Sequence, residues 1–262
     1  MDNGFEFVST RTDDRVAVVT LNRPKAMNAI SGAFAEELTE VFWRLRRDRE
    51  VWVVVLAAAG ERAFCVGADL RERAEFTLYD FYKNREQIRL MFSSLRRVPQ
   101  PVVASVFGFA LGGGFELALS CDLIVAAQDA VFGLPETRVG LIPAGGGTQL
   151  LTRKVGVARA KEMIFRGRRI DVTQATELGL VAEVAERDRL EERTMEVALD
   201  IARSSPVAVR HAKAAIDAAL GVPLDEGMDL EHDAWRRTIS SHDREEGILA
   251  FTEKRDPEWG NR

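Results

Sequence analysis

Two glutamates stand beside turn-forming motifs and are the side chains best suited to moving protons. Glu116 follows three consecutive glycines, Gly112 to Gly114, inside the apolar helical run FELALS. Glu136 follows Pro135 in a loop after the short apolar segment AVFG. If that loop brings Glu136 opposite Glu116, the pair could perform general acid/base catalysis at carbons next to a carbonyl group.

Two glycine turns could supply hydrogen-bond donors for that carbonyl group. Gly113 lies near the first turn of the predicted helix, where unpaired N–H groups carry partial positive charge. The segment ERAFCVGADL has a similar character, with a strand end, the turn glycine Gly67 and an exposed N–H group. Two converging N–H groups would form an oxyanion hole.

The residues alone leave simpler interpretations open. A glycine run before an apolar helix is more often a tight packing turn, and a glutamate in the first turn often serves the helix dipole. Glycine runs also form phosphate loops, but the chain has no GxxxxGK[ST] motif, and no GxGxxG follows its first predicted strand. Spacing therefore gives no support to a nucleotide-binding fold.

Composition restricts the class of protein further. The net charge of −5 over 262 residues argues against a nucleic-acid-binding protein. No apolar run approaches the roughly 18 residues that span a membrane, and the first ten residues lack the features of a signal peptide. Cys65 and Cys121 form no disulfide framework and are expected to be buried thiols. We expect a cytoplasmic protein with neither membrane nor nucleic acid as a partner.

The hydrophobic pattern predicts an α/β fold with a layered parallel sheet. Strands are expected at 16–22, 51–60, 101–108, 122–128 and 180–186, with helices between and after them. Ser31 is expected to cap the first helix, and Pro206 to begin a helix of the C-terminal region. We therefore predict an α/β core over residues 1–204 and a helical region over residues 205–262.

Five motifs in order and spacing resemble the enoyl-CoA hydratase/isomerase (crotonase) superfamily. They cover nearly the whole chain: LNRPKAMNAI, AFCVGADL, GFALGGGFELALSCDLIVAA, FGLPETRVGLIPAGGGTQLLTRKVG and EGILAFTEKRDPEW. The resemblance implies a crotonase-like spiral of ββα repeats. It also implies that residues 205–262 complete the site and drive assembly into homotrimers or dimers of trimers.

The same resemblance assigns roles to the candidate residues. The oxyanion N–H groups fall on Ala68 and Gly113 and would bind the thioester carbonyl. Glu116 and Glu136 fall on the two catalytic glutamates of the hydratases, with Glu116 as the base and Glu136 as the acid. They would hold one water between them, and the two carboxyls could titrate as a pair.

Further residues fall on the path of the coenzyme A substrate or on its rim. By resemblance these are Lys25, Ala26, Met27, Ala63, Val66, Asp69, Leu70, Gly112, Pro135 and Ala144, together with Phe251 and Lys254 from a neighbouring subunit. The acyl-CoA thioester is the substrate, and we expect no metal and no permanently bound cofactor. Residues 71–98 would form much of the acyl pocket.

Related enzymes of the superfamily differ at the same positions. Simple isomerases usually lack the glutamate present here as Glu116, and naphthoate synthases lack the one present as Glu136. Dienoyl isomerases carry an acid where this chain has Ala144, and aryl-CoA dehalogenases need a core histidine, whereas the first histidine here is His211. Hydration of a 2-trans-enoyl-CoA to a 3-hydroxyacyl-CoA, in fatty-acid or related acyl-CoA degradation, is the activity that remains.

Two other functions remain open, and three residues differ from those common in the hydratases. An isomerase, or another enolate-forming acyl-CoA enzyme on the same scaffold, is the second hypothesis. A non-catalytic acyl-CoA-binding or RNA-binding relative is the third. Ala144, Val66 and Leu134 each replace a residue that is common in the hydratases, and these changes bear on rate and substrate range more than on reaction type.

Overall fold

Two β-sheets organise the computed structural model, which describes residues 4–261. Within that range the strands are β1 (Val8–Asp13), β2 (Val16–Leu21), β3 (Val53–Ala58), β4 (Ala63–Cys65), β5 (Val102–Val106), β6 (Phe109–Leu111), β7 (Leu123–Ala127), β8 (Val131–Gly133), β9 (Arg169–Asp171) and β10 (Glu183–Ala185). The helices are α1 (Gly32–Leu45), α2 (Leu70–Ala74), α3 (Leu78–Arg96), α4 (Gly113–Leu119), α5 (Gly147–Val155), α6 (Val157–Arg166), α7 (Val172–Glu177), α8 (Leu190–Ala202), α9 (Pro206–Ala219), α10 (Leu224–Ile239) and α11 (His242–Glu253).

The larger sheet has the strand order β1-β2-β3-β5-β7-β10. Its pairs from β2 onward are parallel, which confirms the predicted layered parallel core. The pattern did not reveal β1, because its sequence VSTRTD carries mostly polar side chains. This edge strand pairs antiparallel with β2 across a turn in which Asp14 and Arg15 have φ of 38° and 69°.

The smaller sheet has the strand order β4-β6-β8-β9, and its first three strands are parallel. The chain alternates between the two sheets: β3, β5 and β7 belong to the larger sheet, and β4, β6 and β8, which follow them, belong to the smaller one. Helices follow each pair of strands. This arrangement is the repeat of two strands and a helix that the resemblance implies. It carries the ends of β4, β6 and β8 to one edge of the smaller sheet.

Close packing of α4 on β4 explains one glycine of the GGG run. A methyl group on Gly114 would lie 1.9 Å from the carbonyl oxygen of Cys65, so no larger residue fits there. Phe115 on α4 packs against Phe132 on β8, with ring centroids 5.3 Å apart. Cys65 and Cys121 are both buried, as expected. Part of the glycine run is therefore a packing turn, and this turn fixes α4 against the smaller sheet.

The C-terminal region is a set of helices joined to the core by polar contacts. Residues 203–205 separate α8 from α9. Lys213 on α9 forms an ion pair with Asp122 (2.7 Å), and the indole N–H of Trp259 donates to the carbonyl of Arg203 (2.7 Å). Among the helices described, none has the length and apolar composition needed to cross a bilayer.

Candidate active site

Three loops meet at the carboxyl edge of the smaller sheet. They follow β4, β6 and β8, and they carry Ala68, Gly113 and Glu136 respectively. Because these strands pair in parallel, their carboxyl ends lie side by side. The N–H of Gly112 continues the pairing and donates to the carbonyl of Gly133 at 2.8 Å. Residues distant in the sequence thus converge on one site.

The N–H groups of Ala68 and Gly113 converge across Gly67. A methyl group on Gly113 would lie 3.8 Å from the nitrogen of Ala68, and one on Gly67 would lie 2.8 Å from the nitrogen of Gly113. Gly67 also has φ of 88°, a conformation that favours glycine. Neither N–H donates to another atom within residues 4–261. Two neighbouring free donors of this kind can bind one carbonyl oxygen.

Glu116 is buried in the first turn of α4, and only 3 % of its surface is exposed. Its Oε1 atom accepts hydrogen bonds from the N–H groups of Gly145 and Gly147, each at 2.7 Å. Burial raises the pKa of Glu116 above its ordinary value, while these N–H groups oppose the rise by stabilising the carboxylate. One oxygen is therefore held by the loop that leads into α5.

Glu136 starts a short 3-10 helix, Glu136–Val139, immediately after Pro135. Its Oε2 atom is buried and has no hydrogen-bond partner among the described residues. Burial, with a smaller contribution from the negative charge of Glu116, raises the pKa of Glu136 to about 7. At neutral pH a large fraction of this carboxyl therefore keeps its proton.

Gly112 lies between the two glutamates. Its carbonyl accepts the backbone N–H of Glu116 at 2.9 Å, and a methyl group on its Cα would lie 3.1 Å from Oε1 of Glu136. The two carboxyls therefore face one region beside the free N–H groups of Ala68 and Gly113. A carboxyl that accepts two backbone N–H groups and a second carboxyl whose pKa burial raises to about 7 are suited to act as a base and an acid.

Stability at high pH should reveal the raised pKa of Glu136. The folded protein retains this proton up to pH of about 7, whereas the unfolded chain loses it near pH 4.5. This carboxyl therefore destabilises the fold increasingly as the pH rises through that interval. We expect Glu136→Gln to raise the free energy of unfolding by about 1–3 kcal/mol at pH 8 and by little at pH 5.

Thermal unfolding of both proteins at pH 5 and pH 8 checks this expectation. Glu177→Gln, at an exposed carboxylate on α7, is the matched control and should show no such difference. We expect Glu136→Gln to change the melting temperature relative to the wild type. If this change is the same at pH 5 and at pH 8, the raised pKa of Glu136 is contradicted.

Comparison with known proteins identifies the family. The sequence profile described as enoyl-CoA hydratase/isomerase matches residues 11–262. The chain belongs to this family. It is 39% identical over 243 residues to the short-chain-enoyl-CoA hydratase of Clostridium acetobutylicum, which covers 93% of both chains. It is 43% identical over 251 residues to human enoyl-CoA hydratase domain-containing protein 2, mitochondrial, covering 94% of this chain and 86% of that protein.

A solved structure of the family has the same fold. The crystal structure of enoyl-CoA hydratase from Bacillus anthracis superimposes with a TM-score of 0.96 at 42% identity, covering 98% of this chain and 100% of that one. The α/β crotonase fold with a helical C-terminal region is thereby confirmed.

Sequence reasoning missed Asn28 as a residue that positions this hydratase/isomerase site. Asn28 is fully buried with φ of 54°. Its side-chain amide donates to the carbonyls of Ala63 (3.2 Å) and Phe64 (3.1 Å), while its Oδ1 accepts the N–H of Arg23 (2.8 Å). These hydrogen bonds hold the loop before α1 against β4, the strand that leads to Gly67. The only sequence signal was a polar residue inside an apolar stretch.

Asp69, predicted to border the coenzyme A path, has a structural role in this family member. Its carboxylate caps α2 by accepting the N–H groups of Arg71 and Glu72. It also forms an ion pair with Arg23 at 2.6 Å, and the pair holds the pKa of Asp69 below its usual range despite partial burial. The side chain thus fixes the loop that carries Ala68.

The other predicted binding residues fall into three groups. Gly112, Val66 and Pro135 lie at the edge of the site. Lys25, Ala26 and Met27 lie on the segment that Arg23 and Asn28 fix, and Leu70 begins α2. Ala144 is exposed beside Gly145. Ala63 is buried inside β4, so its side chain supports the sheet. In the C-terminal region, Phe251 on α11 is 86 % exposed, and Lys254 is the C-cap of that helix.

Proposed function

We propose that this protein is an enoyl-CoA hydratase that adds water in the syn sense to a 2-trans-enoyl-CoA, giving a 3-hydroxyacyl-CoA. The observation that carries the proposal is the pair of buried carboxyls beside two free N–H groups. The N–H groups of Ala68 and Gly113 bind the thioester oxygen, on which negative charge builds in the enolate-like transition state. Their donors are already oriented before the reaction, so little reorganisation opposes it.

The two glutamates divide the proton transfers of this hydration. Glu116, held by Gly145 and Gly147, keeps one oxygen free to take a proton from the water that attacks Cβ. Glu136, whose pKa is raised to about 7 by burial, delivers a proton to Cα. One C–O bond and one C–H bond form, the C=C bond is consumed, and the proton that Glu116 receives replaces the one that Glu136 gives. No redox or metal cofactor enters this balance.

The substrate reaches the site as a coenzyme A thioester. In the proposal, Lys25, Ala26 and Met27 line its path on one side, and Val66 and Leu70 line it on the other. Ala144 and Pro135 border the reacting end. The family name and the named hydratase relatives support this assignment.

Assembly belongs to the proposal as well. Helices α9 and α10 and the turn between them expose large apolar side chains, including Ile216, Leu220, Leu224, Met228 and Trp235. An apolar surface of this kind supports packing against other subunits. We propose a homotrimer, or a dimer of trimers, in which residues 205–262 form the contacts and Phe251 and Lys254 reach a neighbouring coenzyme A.

The proposal also places the protein in the cytoplasm and in fatty-acid or related acyl-CoA degradation. Bacterial relatives support this location, whereas the human relative is mitochondrial by name.

A direct assay tests the function. Purified protein is mixed with 2-trans-enoyl-CoA thioesters of four to ten carbons, and the absorbance of the conjugated thioester is followed. We expect loss of this absorbance for at least one chain length, with a 3-hydroxyacyl-CoA as product. If no 2-enoyl-CoA is consumed while a 3-enoyl-CoA becomes conjugated, the protein is an isomerase. If neither thioester reacts, the catalytic proposal fails.

A further inference from the structure

Arg85 carries a buried cationic atom that the protein itself leaves unpaired. It lies on α3, and its Nη1 atom has no hydrogen-bond partner among residues 4–261. The nearby acid Glu86 pairs with Arg89 instead, on the exposed side of α3 (2.8 Å). A buried cationic donor without a partner is costly for a protein to keep. Such a group indicates a ligand that supplies the missing acceptor.

The helix directs Arg85 toward the reacting carboxyls. Arg85, Phe92 and Arg96 are separated by seven and then four residues, which places them on one face of α3. On that face, the ring of Phe92 lies 2.3 Å from where a methyl group on Gly145 would be, and Arg96 donates to the carbonyl of Gly145 at 3.1 Å. Gly145 is also one of the two residues that hold Glu116. Arg85 lies about 10 Å before Phe92 along this face, since a helix rises about 1.5 Å per residue.

Electrostatics agrees with that placement. The positive charge of Arg85 opposes the rise in the pKa of Glu116 that burial causes. The same charge and burial lower the pKa of Arg73 on α2, so the two guanidinium groups share one region. Arg73 already has a partner, since its guanidinium group donates to Oδ1 of Asn84 at 3.1 Å. The positive charge of Arg85 therefore acts both on Glu116 in the candidate site and on Arg73 of α2.

We propose that Arg85 binds a carboxylate at the far end of the acyl chain, so that the preferred substrates are short 2-trans-enoyl-CoA thioesters that end in a carboxylate. This inference rests on the proposed hydration at Glu116 and Glu136. A carboxylate accepts hydrogen bonds from a guanidinium group with favourable geometry and neutralises its charge. An alkyl chain of the same length would leave Nη1 unpaired and would add no compensating contact.

Two substrates of equal carbon number isolate this contact. They are trans-pent-2-enoyl-CoA and trans-pent-2-enedioyl-CoA, which carries a carboxylate in place of the terminal methyl group. For the wild type we expect kcat/KM to be at least about tenfold higher for the carboxylated thioester. Arg85→Gln should lower the ratio of the two kcat/KM values by about 100-fold, because one partner of a desolvated charge pair is removed. Arg85→Lys keeps the charge and should restore part of the ratio.

The ratio separates substrate recognition from any effect on Glu116, since both substrates use the same carboxyls. Arg89→Gln, on the exposed face of the same helix, is the matched control and should leave the ratio within twofold of the wild type. If Arg85→Gln leaves the ratio of the two kcat/KM values unchanged, the inference is overturned. An equal rise in KM for both thioesters also overturns it, because that result would assign Arg85 to binding of coenzyme A. If the wild type hydrates pent-2-enoyl-CoA but not its carboxylated counterpart, the inference fails while the proposed function stands. If neither is hydrated, the inference fails, and the assay over four to ten carbons decides the proposed function separately.

Discussion

Replacing Glu116 by glutamine is expected to lower kcat for hydration by about 10²- to 10⁴-fold while leaving acyl-CoA affinity within about threefold of the wild type. The glutamine carbonyl oxygen can accept the same hydrogen bonds from Gly145 and Gly147 that Oε1 of Glu116 accepts now. The loop that leads into α5 therefore keeps its anchor. An amide cannot take a proton from water at neutral pH, so the loss should fall on the chemical step.

Steady-state kinetics with an enoyl-CoA, together with the dissociation constant of a saturated acyl-CoA, measure this split. Glu136→Gln should slow the same step by a comparable factor, because its amide cannot deliver the proton to Cα. Wild-type turnover in either variant would show that two glutamates are not required. A loss confined to acyl-CoA affinity would assign the altered residue to binding.

Replacing Gly113 by alanine is expected to lower kcat/KM by about 10²- to 10³-fold, the range for loss of one oxyanion-hole donor. The backbone of Gly113 does not require glycine, since its φ lies outside the left-handed region. The added methyl group would meet Gly67 Cα at 3.4 Å and Ile30 Cδ1 at 3.5 Å, which are ordinary contacts. It would also lie 3.8 Å from the nitrogen of Ala68, between the donors that the thioester oxygen must reach.

The melting temperature of Gly113→Ala should therefore remain close to that of the wild type while activity is lost. Gly221→Ala, in the turn between α9 and α10, is the matched control, because only the carbonyl of Ala218 lies within 4 Å of its added methyl group. It should retain both stability and activity. Full activity of Gly113→Ala would remove the oxyanion role of this N–H group.

Strong local patterns made much of the fold predictable. The β-branched runs that became β2, β3, β5 and β7 are long enough to be recognised as buried parallel strands. Ser31 caps α1 by accepting the N–H of Phe34, as its residue type indicated. The short strands β4, β6 and β9 have three residues each, too few for a periodicity to emerge. They pair because the spiral brings them together, and this pairing assembles the site.

The same limit applies to the candidate site. The sequence pointed to Glu116 and Glu136 as a pair, but spacing alone could not distinguish an oxyanion turn from a packing turn at Gly112 to Gly114. In the structure Gly114 packs on Cys65, whereas Gly113 lies beside Ala68, where our proposal gives its N–H group the oxyanion role. The hydrogen bonds of Asn28 and the anchoring of Glu116 by Gly145 join segments that are distant in the chain, and no local pattern encodes such contacts.

Hydration carried out in D₂O tests the central claim most directly. A 2-trans-enoyl-CoA is incubated with the protein, and the product is examined by mass spectrometry and proton NMR. We expect a 3-hydroxyacyl-CoA with one deuterium at C2, added to the same face as the hydroxyl group. Formation of a 3-enoyl-CoA with deuterium at C2 and no added hydroxyl group, or recovery of unchanged substrate, would contradict it.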